Sequence, residues 1–280
     1  MYDYLFCFRP STICNMSCSY CYRHDNLLDT QPQSTFDIDS IIYHAKSLSN
    51  NLFNFCGYGE TMIHPQFADI IIELSKVTKV NWITNGTLFT GNAFKKIINN
   101  ANIDNIKDIV ISVHISEIKN MEKYIIDYYD ATDILNSVNI KYHTTTVVTD
   151  DNIDTIIQYK DFFPNLVVKI PFQRTIQNNT ITYNKLSSNT IGKLVVNNLL
   201  FINDVNTIPP YTGKYCPNGS RIFEVHSNGD IYDCYYDANR IIIGNINIQI
   251  PITKLPNNRL CKCNSMHCIP ALRDEYKLLN

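Results

Sequence analysis

The chain has 280 residues, 45% of them hydrophobic and 18% charged, so it can bury the core of a large α/β domain with or without a small appendage. Its formal charge of −2 and isoelectric point near 6.4 supply no basic field for non-specific nucleic-acid binding. No apolar run reaches the roughly 18 residues that a membrane-spanning helix needs. The first residues lack the basic region of a secretory signal, so we expect a cytoplasmic protein.

Six short apolar runs rich in β-forming residues follow one another along the chain. They are Tyr4–Phe8, Leu52–Cys56, Val80–Thr84, Ile109–Val113, Tyr142–Val148 and Val167–Ile170. Amphipathic stretches separate most of them, which predicts right-handed βαβ units and a parallel sheet that is open or curled into a barrel. We interpret residues 1–205 as a partial (β/α)6 TIM-like barrel of the α/β class. In such folds the chemistry lies at the carboxyl ends of the strands.

Three helices are predicted from the apolar pattern. The first has one apolar face between Ile38 and Leu48. Pro65 suits the first turn of the second, which continues to about Lys76. The third has an apolar face formed by Ile191, Leu194, Val195, Leu199 and Ile202.

The pattern changes after about Asn203. Two strand-like segments, 221–226 and 230–234, flank Asn228-Gly229, which predicts a two-residue hairpin turn because both turn positions would take positive φ. The remainder is irregular and rich in cysteine. We therefore expect residues 206–280 to form a small domain of β-hairpin and loop that a metal centre holds together.

Ten cysteines in a reducing compartment favour metal binding or catalysis over a disulfide framework. Cys14, Cys18 and Cys21 lie within eight residues, directly after the first predicted strand. Three soft thiolates suit a 4Fe-4S cluster whose fourth iron has no protein thiolate. The alternative is a zinc site that borrows a fourth ligand such as His24 or Cys7.

The cysteine spacing, Cys-x-x-x-Cys-x-aromatic-Cys with Tyr20 as the aromatic residue, resembles that of the radical S-adenosylmethionine (SAM) superfamily. Three later segments, each at the end of a predicted strand, resemble further elements of that family. They are Phe55-Cys56-Gly57-Tyr58-Gly59-Glu60-Thr61, then Thr84-Asn85-Gly86, then Ser112 with His114. Each segment alone could be only a turn or a histidine at a strand end, but four elements in this order after four successive strands are specific.

The resemblance implies a cofactor site. S-adenosylmethionine would chelate the open iron, and the reduced cluster would cleave it to a 5'-deoxyadenosyl radical that abstracts a substrate hydrogen. Glycines after the second strand let backbone groups approach the methionine end, and Glu60 could pair with its ammonium group. Tyr58 and Thr61 replace a glycine and the proline of the fuller motif. The implied cofactor-binding residues are Tyr20, Gly57, Tyr58, Gly59, Glu60, Asn85, Ser112 and His114.

The C-terminal cysteines imply a second centre. Cys216 and Cys234, with Gly229 between them, have the spacing of the auxiliary-cluster extensions called SPASM and twitch domains in this superfamily. The remaining thiolates are those of Cys261, Cys263 and Cys268. Five cysteines, rather than the seven of a full SPASM domain, predict one auxiliary 4Fe-4S cluster, with structural zinc as the alternative.

Relatives with this extension modify peptides, proteins, or small sugars and alcohols. We therefore expect oxidation, crosslinking or epimerisation of a peptide, with a dehydrogenase or epimerase of a small sugar, aminoglycoside or nucleotide as the alternative. The resemblance also implies an electron donor such as flavodoxin or ferredoxin. The rival from another class is a non-catalytic zinc-binding scaffold.

Two cysteines and three polar residues belong to neither centre. Cys7 and Cys56 are interpreted as small buried hydrophobes, with donation of a hydrogen atom to a product radical as the alternative for Cys56. Lys169, Gln173 and Arg174 follow the sixth strand and could face the substrate or solvent.

Overall fold

A computed structural model describes residues 2–21, 34–57, 59–169, 172–175, 180–183, 186–199, 216–234 and 240–256. Its strands are β1 (Tyr4–Phe8), β2 (Asn51–Phe55), β3 (Lys79–Thr84), β4 (Ile106–Ser112), β5 (Tyr142–Val147), β6 (Val167–Lys169), β7 (Phe172–Thr175), β8 (Thr180–Tyr183), β9 (Ile222–Val225), β10 (Asp230–Tyr232) and β11 (Ile242–Asn245). Its helices are α1 (Ile38–Ser47), α2 (Phe67–Ser75), α3 (Asn92–Asn100), α4 (Met121–Ser137), α5 (Ile153–Tyr159) and α6 (Ser188–Val196).

Nine of the described strands form one sheet in the order β11-β10-β9-β1-β2-β3-β4-β5-β6. The strands β1 to β6 are all parallel to their neighbours, with one helix in each connection. The predicted α/β class and unclosed partial barrel are confirmed. Within the described residues, no helix has both the length and the apolar character needed to span a membrane.

The C-terminal strands extend the same sheet beyond β1. β9 pairs with β1 in parallel, and β10 then pairs with β9 and β11 in antiparallel fashion. The sequence predicted the hairpin but not its place beside the first strand. The expected domain boundary at 205/206 falls among residues 200–215, which lie outside the described part, so the division into two domains stays a prediction.

The predicted two-residue turn of the β9–β10 hairpin is wrong. Gly229 has a φ of 89°, whereas Asn228 is not among the described residues with positive φ. The amide of His226 donates to the carbonyl of Asp230, and the amide of Gly229 donates to the carbonyl of His226, at 2.9 Å each. This pattern is a three-residue loop in which a turn is followed by a left-handed glycine, so only one position needs positive φ.

Two of the predicted helices differ in length from the helices in the structure. α2 begins at Phe67 rather than at Pro65, since the side chain of Gln66 bonds to the backbone of Phe36 and fixes the chain just before the helix. The last predicted helix ends at Val196 and is followed by Asn198 at positive φ, so Leu199 lies beyond it.

The two faces of the sheet differ in what covers them. One face packs against the helices through a large apolar core that includes Phe6, Phe53, Trp82 and Phe223. The opposite face, here called the inner face, carries the residues that alternate with these. Its apolar part is the small cluster of Leu5, Cys7, Leu52 and Ile222, with Cys56 packed against it.

Candidate cofactor and cluster site

The first cysteine loop leaves β1 at the carboxyl edge of the sheet. Its entry is fixed by Ser11, whose hydroxyl accepts from the amide of Ile13 at 3.0 Å. The amide of Cys21 donates to the carbonyl of Cys18 at 3.0 Å, and the amide of Met16 points at the sulfur of Cys14 at 3.4 Å. None of the cysteines in the described part is joined in a disulfide.

The three thiols of this loop lie within electrostatic reach of one another. Burial is the main reason that the pKa of Cys18 rises to about 12, and the nearby Glu117, Cys21 and Cys14 contribute to the same rise. Three thiolates on one short loop would repel each other unless a metal centre neutralised them, so the chemistry of the donor set fits an iron-sulfur cluster. In the described residues, no three His, Cys, Asp or Glu side chains are grouped so that they could hold a metal ion.

The loop after β2 is packed against the cysteine loop. A Cβ on Gly59 would overlap the carbonyl oxygen of Ile13, and the amide of Glu60 donates to that oxygen at 2.9 Å. Gly59 is therefore required for close contact between the two loops. Gly57 lies beside Arg9, and Tyr58 lies outside the described residues.

The carboxylate of Glu60 is buried, with 2% of the residue exposed. It accepts from the amide of Met62 at 3.0 Å, the hydroxyl of Thr84 at 2.8 Å and the amide of Asn85 at 2.6 Å. Burial raises its pKa, and these three hydrogen bonds oppose the rise. The side chain thus ties the β2 loop to the end of β3, and the expected pairing with an ammonium group stays a prediction.

Asn85 connects the end of β3 to the cysteine loop. Its side-chain nitrogen, Nδ2, donates to Oδ1 of Asn15 at 2.9 Å and lies 3.9 Å from the sulfur of Cys14. Its carbonyl oxygen accepts from the hydroxyl of Tyr124 at 2.7 Å, and Asn15 in turn donates to Thr87 at 2.7 Å. The Thr-Asn-Gly segment therefore lies against the first cysteine.

The residues that follow β4 approach the other end of the cysteine loop. The hydroxyl of Tyr20 lies 2.9 Å from Nδ1 of His114, two residues beyond Ser112. Burial lowers the pKa of His114 to about 4, and burial raises the pKa of Tyr20. A neutral imidazole and a protonated phenol result, and either group can be the donor in the hydrogen bond that joins them.

Glu117 is a contact that sequence reasoning missed. Its Oε1 accepts from the hydroxyl of Ser19 at 2.7 Å and from the amide of Ser19 at 3.3 Å. It lies in the short turn of Ile115–Glu117, which follows directly on His114. An acidic residue in a loop carries no pattern that predicts such a partner.

The structure describes two of the five C-terminal cysteines. Cys216 and Cys234 are both buried, and the side chain of Asn218 lies 3.7 Å from the sulfur of Cys234. Cys234 lies two residues beyond Tyr232, the last residue of β10, so it is just past the strand that was predicted to carry it. The other predicted ligands, Cys261, Cys263 and Cys268, lie outside the described residues.

A buried ion pair joins the start of the cysteine loop to the C-terminal hairpin. Arg9, one residue after β1, donates through Nε and Nη2 to Oε2 of Glu224 on β9, at 3.1 and 2.7 Å. Sequence reasoning missed this pair because its members lie 215 positions apart. Cys56 lies close enough for both charges to act on it, although burial is the main reason that its pKa rises to about 11.

The last polar residues that the sequence singled out lie at or after the end of β6. Lys169 is the last residue of that strand and is exposed. The side chains of Gln173 and Arg174 lie outside the described part, so a substrate-facing role for these residues stays a prediction.

The model of the Radical SAM superfamily matches residues 8–163, more than half of the chain. The chain belongs to the radical SAM superfamily. This radical SAM protein is also 26% identical over 272 residues to the uncharacterized protein MJ0907 of Methanocaldococcus jannaschii, with 89% of this chain and 91% of that protein covered. The superfamily implies a 4Fe-4S cluster and S-adenosylmethionine as cofactors.

Solved structures share the fold. Native anSMEcpe with bound AdoMet matches with a TM-score of 0.55 and 17% identity, over 87% of this chain and 78% of that one. Streptococcus suis SuiB bound to precursor peptide SuiA matches with a TM-score of 0.55 and 14% identity, over 87% of this chain and 62% of that one. BtrN in complex with AdoMet and 2-DOIA matches with a TM-score of 0.50 and 13% identity, over 88% of this chain and 78% of that one.

Proposed function

We propose that this chain cleaves S-adenosylmethionine reductively and abstracts a hydrogen atom from a bound substrate, with a 4Fe-4S cluster held by Cys14, Cys18 and Cys21. The observation that carries the proposal is the contact of the cysteine loop with the ends of β2, β3 and β4, through Glu60, Asn85 and His114 respectively. A structural zinc loop has no need of these contacts. Superfamily membership supports the same chemistry.

The cofactors supply a 5'-deoxyadenosyl radical, and the protein supplies their positions. Backbone groups of the segment 57–59, which includes Tyr58, would face the methionine end, because Gly59 holds this segment directly against the cysteine loop. His114 would meet the cofactor through Nε2, since Tyr20 occupies Nδ1. Asn85 and Ser112, at the ends of β3 and β4, would complete the cofactor contacts.

We propose one auxiliary 4Fe-4S cluster in the C-terminal region. Cys216 and Cys234 are buried and would supply two thiolates. Cys261, Cys263 and Cys268 are the candidates for the rest. Two buried thiols in this region are consistent with a centre that relays an electron, with structural zinc as the alternative.

Two substrate classes are open. Modification of a peptide is supported by the similarity to SuiB, whose structure was solved with its precursor peptide. A small polar molecule is supported by the similarity to BtrN, which was solved with 2-DOIA, and by the polar side chains of the inner face. We propose that a flavodoxin or ferredoxin of the cytoplasm reduces the cluster.

Anaerobic reconstitution of the full chain with iron and sulfide tests the proposal. The wild-type protein should turn brown, bind iron for two clusters, and release 5'-deoxyadenosine when reduced with S-adenosylmethionine. Cys18→Ala should lose about half of the iron and all of the cleavage. Cys7→Ala is the matched control, because that cysteine lies in an apolar cluster on β1, and it should keep both. A colourless zinc protein that never cleaves the cofactor would refute the proposal.

A further inference from the structure

The two residues between the second and third cysteines of the first loop, Ser19 and Tyr20, are held by one short turn. That turn follows β4 and begins after His114, whose Nδ1 lies 2.9 Å from the hydroxyl of Tyr20. Glu117, at the end of the same turn, accepts from the amide of Ser19 at 3.3 Å and from its hydroxyl at 2.7 Å. These contacts restrain the spacing of the two cysteines, because the residues that join them are tied to the turn.

Glu117 also brings a negative charge to the cysteine loop. Burial is the first cause of the raised pKa of Cys18, and Glu117 is the charged group with the largest contribution to it. Glu117 acts as well on the pKa values of Tyr20 and His114, in both cases after burial. In the part of the chain that the structure describes, no basic side chain forms an ion pair with Glu117. The loop therefore lies beside a carboxylate whose charge is not balanced by a paired cation.

This charge matters for electron transfer to a cluster in the loop. The reduction potential of an iron-sulfur cluster depends on the charges around it and on hydrogen bonds to its sulfur atoms. One-electron reduction adds a negative charge, so a neighbouring carboxylate disfavours the reduced form and lowers the potential. The amide of Ser19 donates to Glu117, so it does not donate to a cluster sulfur, where it would stabilise the added electron. Both effects of Glu117 therefore lower the potential.

We propose that Glu117 is a positioning residue for the first cluster: it holds Ser19 between the second and third cysteines, and its charge keeps the reduction potential of the cluster low. The proposal rests on the proposed function, because it concerns the cluster of that same site. A cluster that passes an electron to a sulfonium must be a strong reductant. A low potential therefore favours the proposed cleavage of S-adenosylmethionine.

The first test measures the midpoint potential of the cluster by redox titration of the reconstituted full chain. The cluster is identified by its electron paramagnetic resonance signal, which should change when S-adenosylmethionine is added. Glu117→Gln keeps an oxygen that can accept from Ser19 but removes the charge. At a fixed potential, the ratio of reduced to oxidised cluster should rise about three- to tenfold in this variant, which is about 30–60 mV at about 59 mV per tenfold for one electron.

Glu122→Gln is the matched control for charge. Glu122 is exposed in the first turn of α4, so solvent and salt screen its charge. This variant has the same net charge as Glu117→Gln, yet it should change the ratio of reduced to oxidised cluster by less than about twofold. An equal change in both variants would mean that the net charge of the protein sets the potential, and it would overturn the proposal.

A second test separates position from charge. Glu117→Ala removes the acceptor of Ser19 as well as the charge, so its cluster should lose iron to a chelator about fivefold faster or more. Glu117→Gln should stay close to the wild-type rate, and complete loss of the cluster from Glu117→Ala alone would support the positioning role. Equal rates in the wild type and both variants would overturn that role. A Glu117→Gln protein that holds no first cluster would also overturn it, because its oxygen can still accept from Ser19.

The outcomes separate this proposal from the proposed function. Release of 5'-deoxyadenosine is measured on the same wild-type preparation. Cleavage by the wild type, together with an unchanged potential in Glu117→Gln, refutes only the role of Glu117. A wild-type protein whose cluster does not respond to S-adenosylmethionine and never cleaves it refutes the proposed function.

Discussion

Replacing Glu60 tests whether its carboxylate holds the site together. In Glu60→Ala, the amides of Met62 and Asn85 lose their acceptor inside the protein. Each unsatisfied buried donor costs about 1–3 kcal/mol, which gives about 2–6 kcal/mol for the pair. Burial raises the pKa of Glu60, so the variant also avoids the desolvation of a carboxylate. We therefore expect a loss of about 2–4 kcal/mol in the free energy of unfolding.

Glu60→Gln separates charge from shape. The Gln oxygen can still accept from Met62 and Thr84, but its NH2 group then opposes the amide of Asn85, where Oε2 accepted at 2.6 Å. The loss should be close to that of the alanine variant. Urea unfolding of the cluster-free protein under anaerobic conditions measures the free energy of unfolding of both variants.

The matched control is Glu73→Ala on α2, an exposed carboxylate paired with Lys76 at 2.6 Å. Its effect should stay within about 0.5 kcal/mol, since exposed ion pairs contribute little. A loss below about 1 kcal/mol for Glu60→Ala, or a Glu60→Gln protein as stable as the wild type, would refute the role assigned to the three hydrogen bonds.

Three further outcomes are expected. Gly59→Ala should abolish iron binding at the first cluster, because the added Cβ would overlap a backbone oxygen. Gly192→Ala in α6 is the control: its Cβ would meet nothing within 4 Å, and it should raise the free energy of unfolding by about 0.5–1 kcal/mol. The pKa of His114 in the folded protein is about 4, so between about pH 6.5 and pH 4 the unfolded chain binds a proton that the folded protein does not. The free energy of unfolding should therefore fall as the pH drops through that window. The fall should be smaller in His114→Gln when unfolding is measured at both pH values. Arg9→Met should lower the unfolding free energy by about 3–5 kcal/mol, and the double variant with Glu224→Met should recover most of it; no recovery would contradict the ion-pair argument.

The fold was largely predictable because its signals are local. The six predicted strands match β1 to β6 within three residues at each end, since each is a short apolar run between helical stretches. The place of β9 beside β1 was not predictable. Parallel pairing between the two ends of the chain leaves no periodicity in either segment, and the partners of the joining ion pair are 215 positions apart.

The candidate site was predictable where a motif carries it. Cysteine spacing and the Thr-Asn-Gly segment indicated residues that do lie together, as with Asn85 and Cys14. The sequence did not predict that the Glu60 carboxylate turns into the protein to accept from the amide of Asn85, because the motif gives the residue and not the direction of its side chain. The contact between Ser19 and Glu117 depends on the path of two loops, which sequence patterns do not define.

The parallel pairing of β1 with β9 has a consequence for synthesis of the protein. β1 leaves the ribosome long before its partner β9, which is made only when residues 222–225 are translated. Contacts between such distant segments also form slowly. The nascent chain therefore carries an unpaired edge of β1, and an Arg9 without its ion-pair partner at the start of the cysteine loop, until most of it has emerged. Insertion of a stable cluster at Cys14, Cys18 and Cys21 should follow translation rather than accompany it.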